Sequence, residues 1–317
     1  MPPFYVNYKM IAENCNGFAT CFDEMLYNNN EVMNLISIGL TGWGDHPDVY
    51  SEVTAAKDKL FDYSGHFPIV ELDTSFYAIP SVENVEKWCK ETPGNFQFVV
   101  KTYQGMTGHL RDELPFETRN DMFNAFRACA DAFQKNGKLA MILVQFPPWF
   151  DCQGKNVQYI RYMKQQLHGF PIAIEFRNQT WYSQQMKDKT LQFLKDNGLI
   201  HTVCDEPQAG SGSVPFVPIA TNDKVLVRIH GRNVHGWRNI GHGENWRKVR
   251  FLYDYNEDEL RKLGEQISFL NKQAKEVYVL FNNNSGGHAA KNAKRMQQIL
   301  QLEFDGLAPK QMKFFDE

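Results

Sequence analysis

Three pairs of ionisable residues, each spaced two apart, stand at the ends of apolar runs: Glu71/Asp73, Glu175/Arg177 and Arg228/His230. On an extended strand residues two apart share a face, so each pair projects together. A lone charge buried at such a place is very costly, so these groups must pair or bind something. Lys101, Gln145, Asp205, Asn282 and Asn283 end other apolar runs in the same way. Carboxylates, an imidazole, a lysine and arginines brought together suit general acid–base chemistry on a polar substrate. In that scheme Glu175 or Asp205 is the base, His230 or Lys101 the acid, and Arg177 and Arg228 clamp an anion. Glu71, Asp73, Gln145, Trp181, Asn282 and Asn283 complete the substrate-binding set. A structural ion-pair network plugging the same place would use the same residues.

A second polar locus follows Asn282. There Asn283-Asn284-Ser285-Gly286-Gly287-His288 runs into a helical pattern. Glycines at a helix N-terminus expose backbone N–H groups, so Gly286 and Gly287, flanked by Arg228 and Arg232, suggest a phosphate site. A tight turn requiring glycine gives the same sequence. Six aromatics (Trp43, Phe76, Tyr77, Trp149, Trp181 and Trp237) fall just past strand ends. They could stack on a sugar or base, or pack locally.

The elements that must carry these residues are short apolar runs alternating with helical patterns. Strands are expected at Ile36–Trp43, Ile69–Tyr77, Phe96–Tyr103, Leu139–Phe146, Pro171–Arg177, Leu199–Asp205, Lys224–Gly231 and Val277–Asn283. Helices follow nearly all of them, for example from Ser81 as N-cap and over Arg119–Asn136. Gly210, Gly212, Pro215 and Pro218 forbid a regular helix after the sixth strand, and a second long loop follows the seventh. Eight buried-type strands in this order predict a parallel (β/α)8 TIM-type barrel, irregular after strand 6. A doubly wound open sheet fits less well, because no strand leads into a GxGxxG turn. In such barrels the carboxyl ends of the strands form the active site, where the charged pairs fall.

Residues 34–302 make up the barrel. Residues 1–33, with Asn28-Asn29-Asn30 and no sustained period, are expected to be a poorly ordered N-terminal extension, and 303–317 a C-terminal tail. The net charge of −3 excludes a global field toward nucleic acid or anionic membrane. No stretch approaches the ~20 apolar residues of a membrane span, and the start lacks a signal-peptide pattern. A cytoplasmic protein with reduced thiols is expected, since the six cysteines form no CxxC pair and no Cys/His metal cluster.

At these residues the chain resembles the YecE-like family, also called domain of unknown function 72. The resemblance rests on Gly39-Leu40-Thr41-Gly42-Trp43, on Glu71-Leu72-Asp73-Thr74-Ser75-Phe76-Tyr77, and on Trp88 to Pro93 with Phe96 to Lys101. It continues in Gln145-Phe146-Pro147-Pro148, Glu175-Phe176-Arg177 with Trp181, and Arg228-Ile229-His230-Gly231. It ends in Phe281-Asn282-Asn283, Gly287-His288-Ala289 and Asn292-Ala293. It implies a TIM barrel from Ile36 to Leu302 and carries no established reaction or cofactor. The family commonly has adjacent Thr-His after the third strand. Here Gly108 separates Thr107 from His109, and that histidine is not carried over.

Three functions fit this sequence. The first is an enzyme acting on a small polar, anionic molecule. The second is a divalent-metal isomerase- or hydrolase-like site using Glu175, Asp205 and His230; an asparagine stands where such barrels add a carboxylate from strand eight, so no metal ligands are assigned. The third is a binding protein linked to DNA transactions. Arg238, Arg247, Lys248 and Arg250 with Trp237 and Trp246 make a basic loop, and Gln311-Met312-Lys313-Phe314-Phe315 resembles the peptide by which bacterial proteins bind the replication sliding clamp.

Overall fold

The computed structural model describes residues 35–51, 54–237 and 246–309. Eight strands form a closed parallel barrel in chain order: β1 (Leu35–Thr41), β2 (Ile69–Leu72), β3 (Gln97–Lys101), β4 (Leu139–Gln145), β5 (Ile172–Glu175), β6 (Ile200–Asp205), β7 (Lys224–Ile229) and β8 (Glu276–Phe281). The barrel closes where β1 pairs with β8, from Leu35 opposite Glu276 to Leu40 opposite Phe281. All eight lie where the apolar runs placed them; β3, β4, β5 and β6 end on Lys101, Gln145, Glu175 and Asp205, and the others stop short of the polar residues that follow. Backbone at Gly39 passes so near β2 that a Cβ would sit 2.0 Å from the Ile69 carbonyl oxygen. Only glycine fits there.

The helices are α1 (Lys59–Ser64), α2 (Val82–Glu91), α3 (Gln104–Thr107), α4 (Arg119–Lys135), α5 (Gly154–Gln166), α6 (Lys187–Asp196), α7 (Val234–Trp237), α8 (Trp246–Arg250), α9 (Glu257–Asn271) and α10 (His288–Ile299). Helix α2 starts on the expected Ser81 cap, whose hydroxyl accepts from Asn84 N. Helices α4 and α9 carry capping boxes, Thr118 with Asp121 and Asn256 with Glu259. At the far end of α2 the buried Lys138 ammonium lies 2.7 Å from the carbonyl oxygens of Cys89, Thr92 and Pro93. It satisfies acceptors that a helix C-terminus otherwise leaves open. No helix joins β6 to β7, as the glycines and prolines there require. The loop after β7 departs from expectation by containing the short α7 and α8.

Two apolar layers result. Ile69, Val99, Met141, Leu143, Ala173, Ile200, Leu226, Tyr278 and Leu280 fill the barrel interior, while a larger cluster seals the helices against the outer faces of the strands. No described helix is long and apolar enough to cross a membrane. The first part of the tail packs on the barrel: Ala308 N donates to the Ser64 carbonyl, and Asn95 donates to Asp305 O. Residues 1–33 and Gln311–Phe315, with the extension and clamp-binding expectations placed on them, lie outside the described residues.

Candidate active site

Strand parity delivers a charged lattice above the apolar interior. Arg228 on β7 is 1% exposed. Its Nε and Nη2 donate to the two oxygens of Glu71 (2.8 and 2.7 Å), and Nη1 donates to Glu175 (2.7 Å) and Gln145 (3.2 Å). Arg177, two residues beyond Glu175 on the same face, donates from Nε to the other Glu175 oxygen. Its Nη1 reaches Glu206 at 2.6 Å and its Nη2 reaches His230 Nε2 at 3.0 Å. Register explains the meeting, since Gln145 lies opposite Glu175 and Cys204 opposite Arg228.

The protonation states follow from this geometry. Burial pushes the Glu175 carboxyl up, but Arg177 and Arg228 outweigh it and hold the group at about 2. Two arginines face three buried carboxylates (Glu71, Glu175 and Glu206), so one carboxylate is under-compensated. Glu206 shares Arg177 with Glu175, and burial raises it to about 7 despite that arginine and a hydrogen bond from Val214 N. Burial also raises Glu71. His230 is pulled well below its usual value by burial and then by the surrounding arginines. Arginine can only donate, so His230 Nε2 is an acceptor and Nδ1 carries the proton. The Asn282 amide nitrogen stands 2.9 Å from Nδ1, and two N–H groups cannot bond each other, so that amide must be turned over to present its oxygen.

These facts change several expected roles. A carboxylate held at about 2 by two guanidinium groups is too weak a base for neutral-pH chemistry. His230, neutral and bonded at both nitrogens, is a poor acid. Asp205 does not join the lattice: on β6 Cys204 faces inward, and Asp205 faces the helical layer. There Asp205 accepts from Arg232 Nη2 at 2.8 Å and from the Tyr255 hydroxyl, and Arg232 also donates to Glu259. Trp181 is a core residue, its indole N–H bonded to the Phe150 carbonyl and its ring stacked on Phe176. The proposed phosphate site loses its cations, because Arg228 and Arg232 are engaged by carboxylates. Gly286 and Gly287 do lead into α10 with φ of 75° and 80°. However, an Asp48 oxygen lies 3.6 Å from where a Gly287 Cβ would be, a carboxylate that an incoming anion would meet. Asn283 turns outward, donating to Tyr253 O and Asn292.

Among the described residues, the group that could hold a metal is Glu175, Cys204 and His230, whose ligand atoms lie within 4.8 Å of one another. Both Glu175 oxygens and His230 Nε2 are already bonded to guanidinium groups, and burial holds the Cys204 thiol well above its usual range. This donor set does not suit a cation.

The more open part of the mouth lies over β2 and β3. Lys101 Nζ donates to Asp73 at 2.6 Å, and the Asp73 side chain is 34% exposed. Ser75 Oγ lies 2.7 Å from the Leu72 carbonyl oxygen and 2.6 Å from that of Lys101, pinning the turn after β2 to the end of β3. Phe76 is thereby set under the ammonium, 4.7 Å from ring centroid to Nζ. Half-buried His109 packs edge-on to Phe76, with its Nδ1 2.8 Å from the Thr107 hydroxyl. Burial, then Lys101 and Arg177, lower this imidazole to about 4. His109 and Glu206 are the two site residues the sequence pattern did not supply. Across the mouth, Trp237 covers Arg177 and, with Trp246 and Phe251, surrounds half-buried Arg250, whose Nε has no partner among the described residues. Arg250 is thus packed rather than part of an open basic surface; Arg238 and the side chains of Arg247 and Lys248 lie outside the described residues.

Eight parallel strands with polar groups gathered at their carboxyl ends define a TIM-type barrel with a mouth site. The chain belongs to the family described as protein of unknown function DUF72, whose sequence profile matches residues 37–313. It is 55% identical over 282 residues, 89% of this chain and 100% of the relative, to UPF0759 protein YunF of Bacillus subtilis (strain 168). A crystal structure of a DUF72 family protein from Enterococcus faecalis V583 has 40% identity and a TM-score of 0.82, covering 88% of this chain and 100% of that one. A DUF72 family protein from Thermotoga maritima MSB8 has 30% identity and a TM-score of 0.72, covering 84% and 100%.

Proposed function

We infer that the protein is an enzyme that binds a small anionic substrate, phosphate- or carboxylate-bearing, over β2 and β3 and acts on it by acid–base chemistry. The observation that carries this is the juxtaposition of the partly exposed Lys101–Asp73 pair with the neutral His109 imidazole. Among the described residues Lys101 has one carboxylate partner, Asp73, which is itself 34% exposed and can turn to solvent, so an incoming anion takes its place as the ammonium's partner. An anion beside His109 raises its pKa toward neutrality, because opposite charge favours the protonated form. Substrate binding itself thus tunes the imidazole toward the range in which it moves protons efficiently. The buried arginine–glutamate lattice is the rigid floor of the site, and Glu206, near 7, is a proton reservoir within it.

The test is a thermal-shift series with inorganic phosphate, sugar phosphates and small carboxylates. Preferential binding to the folded state raises the melting temperature. At least one anion should stabilise the wild type, and Lys101→Met should remove the shift. A flat response across the series refutes the reading.

A further inference from the structure

Four aromatic rings, one of them the His109 imidazole, and two cations make a continuous rim along one side of this mouth. Tyr77 packs edge-on to Phe76 (5.2 Å between centroids), Phe76 to His109 (5.1 Å), and His109 to Trp149 (5.9 Å). Lys101 lies over Phe76, the second ring, and the Arg111 guanidinium lies 5.7 Å from the Trp149 ring at the far end. Trp149 is 57% exposed and Tyr77 48%. Exposing so much tryptophan forgoes burial that a purely structural ring would take. The ring is also held in place: Trp149 follows Pro147-Pro148, whose fixed φ angles stiffen the turn, and the next residue, Phe150, is stacked on Phe146 at 3.8 Å. His109 Nε2 has no hydrogen-bond partner among the described residues, while Nδ1 is fixed by Thr107.

We propose that this rim is a stacking platform and that the substrate is a ring-bearing anion: a planar ring lies on Trp149 while its phosphate or carboxylate is held at Lys101. The proposal rests on the anion reading above and specifies its ligand class. Stiff, half-exposed aromatics recognise planar rings through their faces without needing base-specific hydrogen bonds. Preorganisation by the diproline turn lowers the ordering cost of binding. The edge-to-face chain keeps the rings from collapsing on one another. The two cations favour an electron-rich ring and its attached negative charge.

The experiment compares three probes by calorimetric titration: adenosine monophosphate, ribose 5-phosphate and inorganic phosphate. Wild type should bind adenosine monophosphate about tenfold or more tighter than ribose 5-phosphate, the gain expected for one stacked ring. Trp149→Ala should erase that ratio, Trp149→Phe should keep most of it, and Lys101→Met should weaken both organic phosphates together. Trp149 is exposed, so its variants fold, and an unchanged melting temperature verifies that. Equal binding of the two organic phosphates, or a ratio unaffected by Trp149→Ala, overturns the platform while leaving the anion reading intact. No binding of any probe overturns both.

Discussion

Replacing Arg228 with methionine removes the cation that satisfies both oxygens of Glu71 and one of Glu175. Both carboxylates are fully buried. Glu175 keeps Arg177, but among the described residues Glu71 keeps no ion pair. Breaking a buried pair from one side costs about 3–5 kcal/mol, because an uncompensated charge is left behind. For a barrel of this size that corresponds to a fall in melting temperature of roughly 10 °C. The loss should depend on pH with a defined sign. The Glu71 pKa is already raised by burial, and losing Arg228 raises it further. The folded state then holds a proton the unfolded chain releases, so stability falls as pH rises above the unfolded value of about 4.3. Urea unfolding of wild type and Arg228→Met at pH 5.5 and 8 should show the larger deficit at pH 8. Adding Glu71→Gln should recover at least about 1 kcal/mol at pH 8. A deficit below about 1 kcal/mol at pH 8, or one independent of pH, refutes the lattice as described.

Glu206, raised to about 7 by burial, gives stability that is present at acidic pH and declines as pH rises through 7; Glu206→Gln should flatten that segment of the melting-temperature profile. Asp205→Asn weakens the cluster with Arg232 and Tyr255, and should lower stability by about 1–3 kcal/mol while leaving anion-induced thermal shifts unchanged. Lys138→Met uncaps the end of α2 and should cost about 1–3 kcal/mol in urea unfolding, with no change in ligand affinity. Purified protein should hold substoichiometric transition metal by elemental analysis, since guanidinium groups occupy the Glu175 and His230 lone pairs; one metal per chain would contradict this.

Much of the barrel was legible because buried parallel strands read as uninterrupted β-branched and aromatic runs. The same parity brought Glu175 to Arg177 and placed Arg228 and His230 on one inward face. It also could have excluded Asp205, since inward positions on β6 run Ile200, Thr202, Cys204. Strand ends alone do not reveal facing, and the outward partner Tyr255 is 50 residues away in sequence. Glu206 was missed because it stands past the strand beside Pro207, where period-two reasoning stops. His109 escapes the family pattern because Gly108 separates it from Thr107. Nothing in the local sequence reports that it packs between Phe76 and Trp149, which come from different βα loops. The glycines before α10 looked like an anion site because sequence shows the helix start but not the Asp48 carboxylate that faces it.

The most direct test of an anion-tuned mouth is the titration of His109 itself. Imidazole nitrogen signals, assigned with a His109→Gln variant, can be followed across pH with and without saturating ribose 5-phosphate. The ligand-free midpoint should fall near 4, and the ligand should raise it by about one unit or more, the size expected of a nearby opposite charge. A ligand-free midpoint at the ordinary histidine value, or one that the ligand leaves unmoved, would contradict the account.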